Sequence, residues 1–311
     1  MNIAELPVAD VRRRLRREGL SLDCGLIRVR VRSNAPGLAA ALHRLYGAYP
    51  LDGGTGFHDV TATLQWRRSW RSRFKPEVQF LLDGDAPFEA LPAATHLPML
   101  EWGLNWCVAS RGHRHLLLHA GVVARAGLGV LIPAVPGSGK STLTAALAGR
   151  GFRLLSDEFG VVRLRDHRLL PLVRPIALKN ESITALAAFA PEAVIGPTFR
   201  NTRKGDVAHV APTRESVAAR NESAVPALVL FPQFRRGAAL SIEAVDDALA
   251  FVKISGNSFN YEILGERAFE AVARLVQGCR CYRITYGDME QAVAAVSELL
   301  DERVQPLAVG Q

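Results

Sequence analysis

Residues 134–142 read Ala134-Val135-Pro136-Gly137-Ser138-Gly139-Lys140-Ser141-Thr142. They stand between an apolar strand pattern, Val130 to Ile132, and a helix pattern, Lys140 to Ala148. A strand that turns through two glycines straight into a helix constrains this chain more than any other stretch. It calls for a layered α/β arrangement in which the helix packs back on its own sheet. Gly137 and Gly139 let the backbone curl so that successive N–H groups face one point, and the helix brings its positive end to the same point. The run fits the phosphate-binding pattern GxxxxGK[ST], with Ala134 at the first glycine position. Pro136, Gly137, Ser138, Gly139, Lys140, Ser141 and Thr142 are therefore the expected nucleotide-binding residues. Lys140 would carry the charge on the β and γ phosphates, and Ser141 a hydroxyl for Mg²⁺.

The next segment sharpens the chemistry. Gly151 ends the helix, Phe152 to Leu155 reads as an apolar strand, and Asp157-Glu158 follows Ser156 only 17 positions after Lys140. At the carboxyl end of a neighbouring strand, one carboxylate can hold Mg²⁺ while the other takes a proton from an attacking hydroxyl, the arrangement of a kinase. The sensor and signature segments of a translocating ATPase are absent from the sequence. Upstream, His119 ends the strand Leu116-Leu117-Leu118, where it could hydrogen-bond the catalytic carboxylate and tune its basicity. In Arg174-Pro175-Ile176-Ala177-Leu178-Lys179-Asn180-Glu181-Ser182, Lys179 is the preferred cation for charge developing on a transferred phosphoryl group. Arg203-Lys204-Gly205-Asp206 with His209 reads as a mobile basic loop, and Ser255 to Asn260 as a polar turn opening a helix.

At 311 residues, with 49% apolar and 22% charged residues, the chain can bury one large core or two modest ones. A disulfide-stapled miniprotein and an extended disordered chain are both excluded. No stretch reaches the roughly 18 uninterrupted apolar residues of a membrane span, and the N-terminus lacks the apolar run of a secretory signal, so a cytoplasmic protein without membrane partners is expected. Cys24, Cys107, Cys279 and Cys281 lack paired metal spacing and read as reduced and structural. The net charge of +8 admits nucleic acid, an anionic surface or a phosphorylated ligand as partner. Arginine is the default cation, 33 residues against five lysines: Lys75, Lys140, Lys179, Lys204 and Lys253. A lysine in such a chain points to a site that needs a compact ammonium.

Residues 1 to about 24 open with an amphipathic helix carrying Val8, Val11 and Leu15 on one stripe, and Gly19 is its stop. Ile27, Val29 and Val31 alternate with arginines as a strand, Pro36 to Tyr46 is a short helix, and Val60 to Trp66 and Val78 to Leu82 are further strands. Met99 to Arg111 is a helix. Leu116 to Leu118, Val122 to Val123 and Val130 to Ile132 follow as strands, the last two joined by a turn at Ala126, Gly127 and Leu128. Strands at 161–164, 227–231 and 240–245 extend the sheet, and helices at 266–277 and 289–302 cover it. The expected division is an N-terminal α+β lobe at 1–112, a catalytic domain at 113–304 and a disordered tail at 305–311. Trp66 to Lys75 interleaves aromatics with cations. It reads as a strand with one solvated face, or as an electropositive surface that holds an acidic protein or peptide.

His119-Ala120-Gly121-Val122, Gly127-Leu128-Gly129, Gly137-Ser138-Gly139-Lys140-Ser141 and Gly151 to Glu158 together resemble the catalytic domain of bacterial HPr kinase/phosphorylase. Within that family the chain is most similar to the group called HprK-related kinase A. The resemblance is close over about 40 residues, His119 to Glu158, and looser beyond. It implies an α+β/α/β protein with a C-terminal mixed-sheet P-loop kinase core, like HPr kinase and phosphoenolpyruvate carboxykinase. It also implies ATP and Mg²⁺ as cofactors and a serine hydroxyl of a protein or peptide as acceptor. Carried over by position, Asp157 is the general base, His119 its partner, Lys140 the phosphate clamp, and Glu158 with Ser141 the Mg²⁺ ligands. Glu158 stands where the family has aspartate, the family's phosphorylase signature is not recognisable, and the N-terminal lobe differs. The group resembles enzymes associated with small PqqD-like peptide chaperones, so such a chaperone and a peptide substrate are the expected partners, and a homo-oligomer stays open. Two other readings stand beside this one: a kinase of a small-molecule alcohol, and a nucleotide-sensing or nucleic-acid-binding regulator without kinase activity.

Overall fold

The structure, a computed structural model, describes residues 1–51, 56–67, 76–135 and 137–308. Pro136 and the Arg68 to Lys75 part of the aromatic and basic run lie outside the described residues, as do residues 309–311 of the expected tail. The N-terminal half comprises α1 (Val8–Arg16), β1 (Leu20–Asp23), β2 (Arg28–Ser33), α2 (Leu38–Leu45), β3 (Val60–Arg67), β4 (Glu77–Leu82), β5 (Leu91–Pro92) and α3 (His96–Arg111). The second half begins with β6 (His115–Arg125), β7 (Leu128–Pro133), α4 (Lys140–Gly149), β8 (Arg153–Ser156), β9 (Phe159–Arg163), β10 (Leu169–Leu170) and β11 (Ile176–Lys179). Then come α5 (Glu181–Phe189), β12 (Phe199–Thr202), β13 (Gly205–Val210), α6 (Arg214–Ala218), β14 (Val225–Phe234) and β15 (Ser241–Ala244). The chain ends with α7 (Asp247–Gly256), α8 (Tyr261–Leu264), α9 (Glu266–Gly278), β16 (Arg280–Tyr286) and α10 (Met289–Ala308).

Alternation decides the first sheet, ordered β1-β2-β3-β4-β5. Val29, Val31 and Ser33 of β2 point inward while Arg28, Arg30 and Arg32 take the outer face, as a strand with a period of two requires. The first helix is closed at Gly19, as its sequence suggests, the Gly19 N–H donating to the Arg14 carbonyl. It stops at Arg16, Gly19 takes φ +93°, and residues 20–23 become a strand. The large sheet is mixed, in the order β10-β9-β6-β7-β14-β16-β15, with β8 also on β6. β7, β14 and β16 run parallel and form its centre, so β7 is buried along its whole length. The β6–β7 hairpin closes on Ala126 and Gly127, both at positive φ, which is the two-residue turn whose twist matches its strands. Leu116 to Leu118 and Val122 to Val123, expected as separate strands, are one strand, β6. The alternating strand β16 was not foreseen at all.

Apolar side chains cover both faces of this sheet. Leu143, Leu147 and Val296 from α4 and α10 pack on one face, and Ile254, Val272 and Leu275 from α7 and α9 on the other. The expected boundary at 112/113 falls between α3 and β6. Even so, Leu117, Phe159, Leu172 and Val173 from beyond it belong to the apolar core of the N-terminal half. The backbone joins the halves too, since the Leu26 N–H donates to the Pro171 carbonyl and the Val173 N–H to that of Cys24. The last helix runs on to Ala308, past residue 302 and through the 305–308 part of the tail expected to be disordered. All four cysteines are free. Among the described residues, no helix is long and apolar enough to cross a membrane.

Candidate functional site

The two acids sit in a break between strands. Val123 pairs with Leu154 but Val122 with Ser156, so Leu155 is an extra residue in the ladder. Pairing resumes at His119 with Phe159. β8 and β9 thus form one interrupted partner of β6, and Asp157-Glu158 occupies the interruption opposite Ala120 and Gly121. A bulge of this kind re-aims side chains that a regular strand would have alternated across the sheet.

The glycine-rich turn meets this break because Gly121 has no side chain. A Cβ there would lie 2.2 Å from Thr144 Oγ1, so the first turns of α4 rest directly on β6. Thr144 in turn donates to the Lys140 carbonyl at 2.9 Å. Gly137 and Gly139 both adopt the left-handed conformation, at φ +88° and +93°. The turn is fastened from the opposite side: the Phe234 N–H donates to the Ser138 carbonyl at 3.0 Å, and the Tyr286 hydroxyl reaches the Gly139 carbonyl at 3.4 Å. Neither Phe234 nor Tyr286 carries a motif, which is why the sequence did not point to them.

Lys140 is buried and reaches across to the acids. Its ammonium donates to the Asp157 carbonyl at 2.5 Å and lies 3.6 Å from Asp157 Oδ1 and 4.0 Å from Glu158 Oε2. The Asp157 carboxyl is nearly inaccessible, and burial pushes it above the usual carboxylate range against the pull of Lys140 and Ser141. Both of its oxygens lack a hydrogen-bond partner of good geometry, and the buried Ser138 hydroxyl oxygen lacks one as well. Glu158 behaves oppositely. Burial works to raise it, but the hydrogen bond to His119 and the charges of Lys140, His119 and Lys179 outweigh that and hold it well below the usual range. His119 Nε2 lies 3.3 Å from Glu158 Oε2. The expectation that His119 partners Asp157 is therefore corrected. The break turns Asp157 inward to Lys140 and Ser141, and leaves the longer Glu158 to meet His119 at the rim.

Lys179 ends β11, and its charge bears on both Glu158 and Lys204. Asn180 bonds Asp206 through backbone and side chain, which ties the end of β11 to the β12–β13 hairpin. The segment expected as a mobile loop is the two-residue turn of that hairpin, with Thr202 paired to Gly205. Lys204 in this turn stands 5.4 Å from the Trp102 ring, and burial and the Lys179 charge lower its pKa. His209 is buried in β13, and burial and Arg174 bring its pKa down to about 4, so it is a neutral packing residue. Arg174 is also interior, paired with Glu101 of α3 at 3.5 Å and bonded to Asn105. The charges of three of the five lysines, 140, 179 and 204, thus bear on Glu158, and Lys75 lies outside the described residues. Scarcity of lysine was the sequence signal that could have singled out Lys204. Of the remaining expected residues, Ser141 and Thr142 lie in the first turn of α4.

Among the described residues no group of three or more His, Cys, Asp or Glu could by itself hold a metal ion. A hydroxyl and one carboxylate, Ser141 and Asp157, suit a hard cation that takes its other ligands from water and phosphate oxygens. The Asp157 oxygens, which lack a hydrogen bond of good geometry, fit that use.

No protein-family model matches the chain, and no curated protein matches it. Among solved structures it is similar to the Hpr(Ser) kinase/phosphatase from Coxiella burnetii, at 13% identity and a TM-score of 0.24. The match covers 62% of this chain and 98% of that one. A superposition this loose lends no weight to a shared fold or activity, and the site's own geometry has to carry the functional reading.

Proposed function

We propose that this chain is an ATP-dependent phosphotransferase that moves the γ-phosphoryl group to a serine hydroxyl of a protein or peptide. The observation that carries this reading is the Lys140 ammonium, buried at the end of a two-glycine turn, within 4.0 Å of both Asp157 and Glu158. A two-glycine turn, a helix start and a lysine are what a triphosphate tail requires. Two neighbouring carboxyls whose pKa values are pushed in opposite directions suit the two separate roles that the transfer requires. The motif resemblance over His119 to Glu158 supports the same assignment.

The geometry favours an exchange of the roles expected for the two acids. Ser141 and Asp157 would hold Mg²⁺, which when bound neutralises charge on the phosphate oxygens. Glu158, ionised and at the rim, accepts the acceptor's proton, and His119 orients it. Lys140 stabilises the phosphoryl charge in the transition state, and Lys179 and Lys204 supply further positive potential. Gly121 and the Phe234 and Tyr286 contacts fix the turn against the acids, so that hydroxyl and phosphorus meet without rearrangement.

Incubation with γ-labelled ATP, first with a metabolite pool and then with serine peptides, tests this. Label should move to a serine, and Lys140→Met should abolish the transfer while the far-UV spectrum stays that of the parent. Label on a small alcohol would make it a metabolite kinase. Steeply salt-dependent binding of DNA or RNA with no transfer to any acceptor would overturn the kinase reading.

A further inference from the structure

Beside the glycine-rich turn, on the face covered by α7, lies a cleft of about 410 Å³ between Ala134, Val135, Gly137 and Ser138, the end of β14 and α7. Lys253, Arg235 and Arg283 line it. Arg283 shares its charge with Glu243 at 3.4 Å, whereas Lys253 and Arg235 have no acidic partner among the described residues. Lys253 is half-buried and stands over the Phe231 ring at 5.4 Å. The Ser138 hydroxyl, also in the lining, is the buried oxygen without a hydrogen-bond partner. A half-buried Lys253 without a counter-ion, the exposed Arg235 beside it and an orphaned hydroxyl in one concavity are the chemistry of an anion site, because partly desolvated positive charge is costly.

The walls say which anion. The cleft is bounded by Ala134, Val135, Gly137 and Ser138, upstream in the turn, while Lys140 and Ser141 lie in the first turn of α4. Its other wall includes Asn257, whose carbonyl accepts the His119 N–H at 2.6 Å. This backbone bond ties the cleft wall to the end of the strand segment that carries His119. Phe231, Pro232 and Phe234 share the lining with the three cations, so the cleft offers an extended chain apolar contact as well as charge.

From this, and resting on the phosphotransferase reading above, we propose that the cleft binds acidic side chains of the acceptor. The substrate class is then a peptide or protein segment with Asp or Glu close to the phosphorylated serine.

The probes are 12-residue peptides with one serine and glutamates on one side of it, and the same peptides with glutamine instead. With the whole chain and ATP, the acidic peptides should be phosphorylated with a kcat/KM about tenfold or more higher, the effect of one charge-assisted contact. Lys253→Gln with Arg235→Gln should cut that preference to about twofold and leave the KM for ATP unchanged. Binding of the Ser→Ala acidic peptide, read by fluorescence anisotropy, should weaken in parallel. Serine phosphorylation with no preference for acid would overturn the inference and leave the kinase reading standing. A raised KM for ATP with the acidic preference retained would assign the cleft to the nucleotide. Absence of transfer to every peptide and metabolite would overturn both.

Discussion

His119 and Glu158 face each other at 3.3 Å across the break between β8 and β9, and the neighbouring Asp157 turns away from them toward Lys140. Consecutive acids in one strand break are thereby separated into two environments, one interior and one at the rim. Their separation makes the roles distinguishable by experiment.

If Glu158 accepts the proton, Glu158→Gln should lower kcat by about 10²- to 10⁴-fold with little change in the Mg²⁺ concentration needed for half-maximal nucleotide binding. Asp157→Asn should raise that Mg²⁺ requirement instead. A Mg²⁺ titration of nucleotide binding in both variants decides the assignment, and the opposite pattern would restore the roles expected by position.

Asp157 also sets a pH dependence. Burial raises its carboxyl above 3.8, so the folded state holds the proton more tightly than the unfolded one, and stability falls as the pH rises through that interval. Asp157→Asn should therefore be more stable than the parent by about 1 kcal/mol near pH 7.5, with the gap closing toward pH 4. Thermal melts across that range check it. A less stable variant at pH 7.5 would mean that Lys140 fully compensates the buried charge.

Gly121→Ala forces a Cβ onto the Thr144 hydroxyl and lifts the start of α4 from β6. Overpacking of this kind should cost about 1–3 kcal/mol and weaken nucleotide binding, since the turn moves with the helix. Adding Thr144→Ala removes the clashing atoms and should recover most of both losses. A double-mutant cycle in denaturant melts measures the coupling.

Arg174 and Glu101 join β11's approach to α3 inside the protein, and the Tyr46 hydroxyl donates to Glu101 at 2.7 Å. Burial raises the Glu101 carboxyl, while Arg174 and Tyr46 oppose that shift. Arg174→Met leaves the acid without its partner and should destabilise the fold by about 3–5 kcal/mol. Because a raised acid loses folded stability as the pH rises, the loss should be smaller at pH 5 than at pH 8. Urea melts at the two values give the comparison.

Lys179 is exposed and touches the fold little, so Lys179→Gln should leave the melting temperature within about 1 °C of the parent. Its charge bears on Glu158, and kcat should fall by about tenfold. Unchanged kcat in a steady-state assay would remove Lys179 from the site.

By itself the sequence determined the local events. Two glycines followed by a lysine and a helix pattern specify a tight turn into α4, alternation specifies β2 and β3, and Ala126-Gly127 specifies the hairpin, because each depends only on dihedral freedom and side-chain period. It also named the residues that gather at the site, His119, Lys140, Asp157, Glu158 and Lys179. Tertiary structure alone decided how they pair. Which acid meets His119 depends on an extra residue at Leu155 in the β6 ladder, and no local pattern marks a bulge whose cause is the partner strand. The seating of the turn on Phe234 and Tyr286, the placing of Lys204 against the Trp102 ring and the burial of His209 and Arg174 likewise come from parts of the chain far apart in sequence. Burial and charge proximity are properties of packing, and packing exists only once the sheets and helices have met.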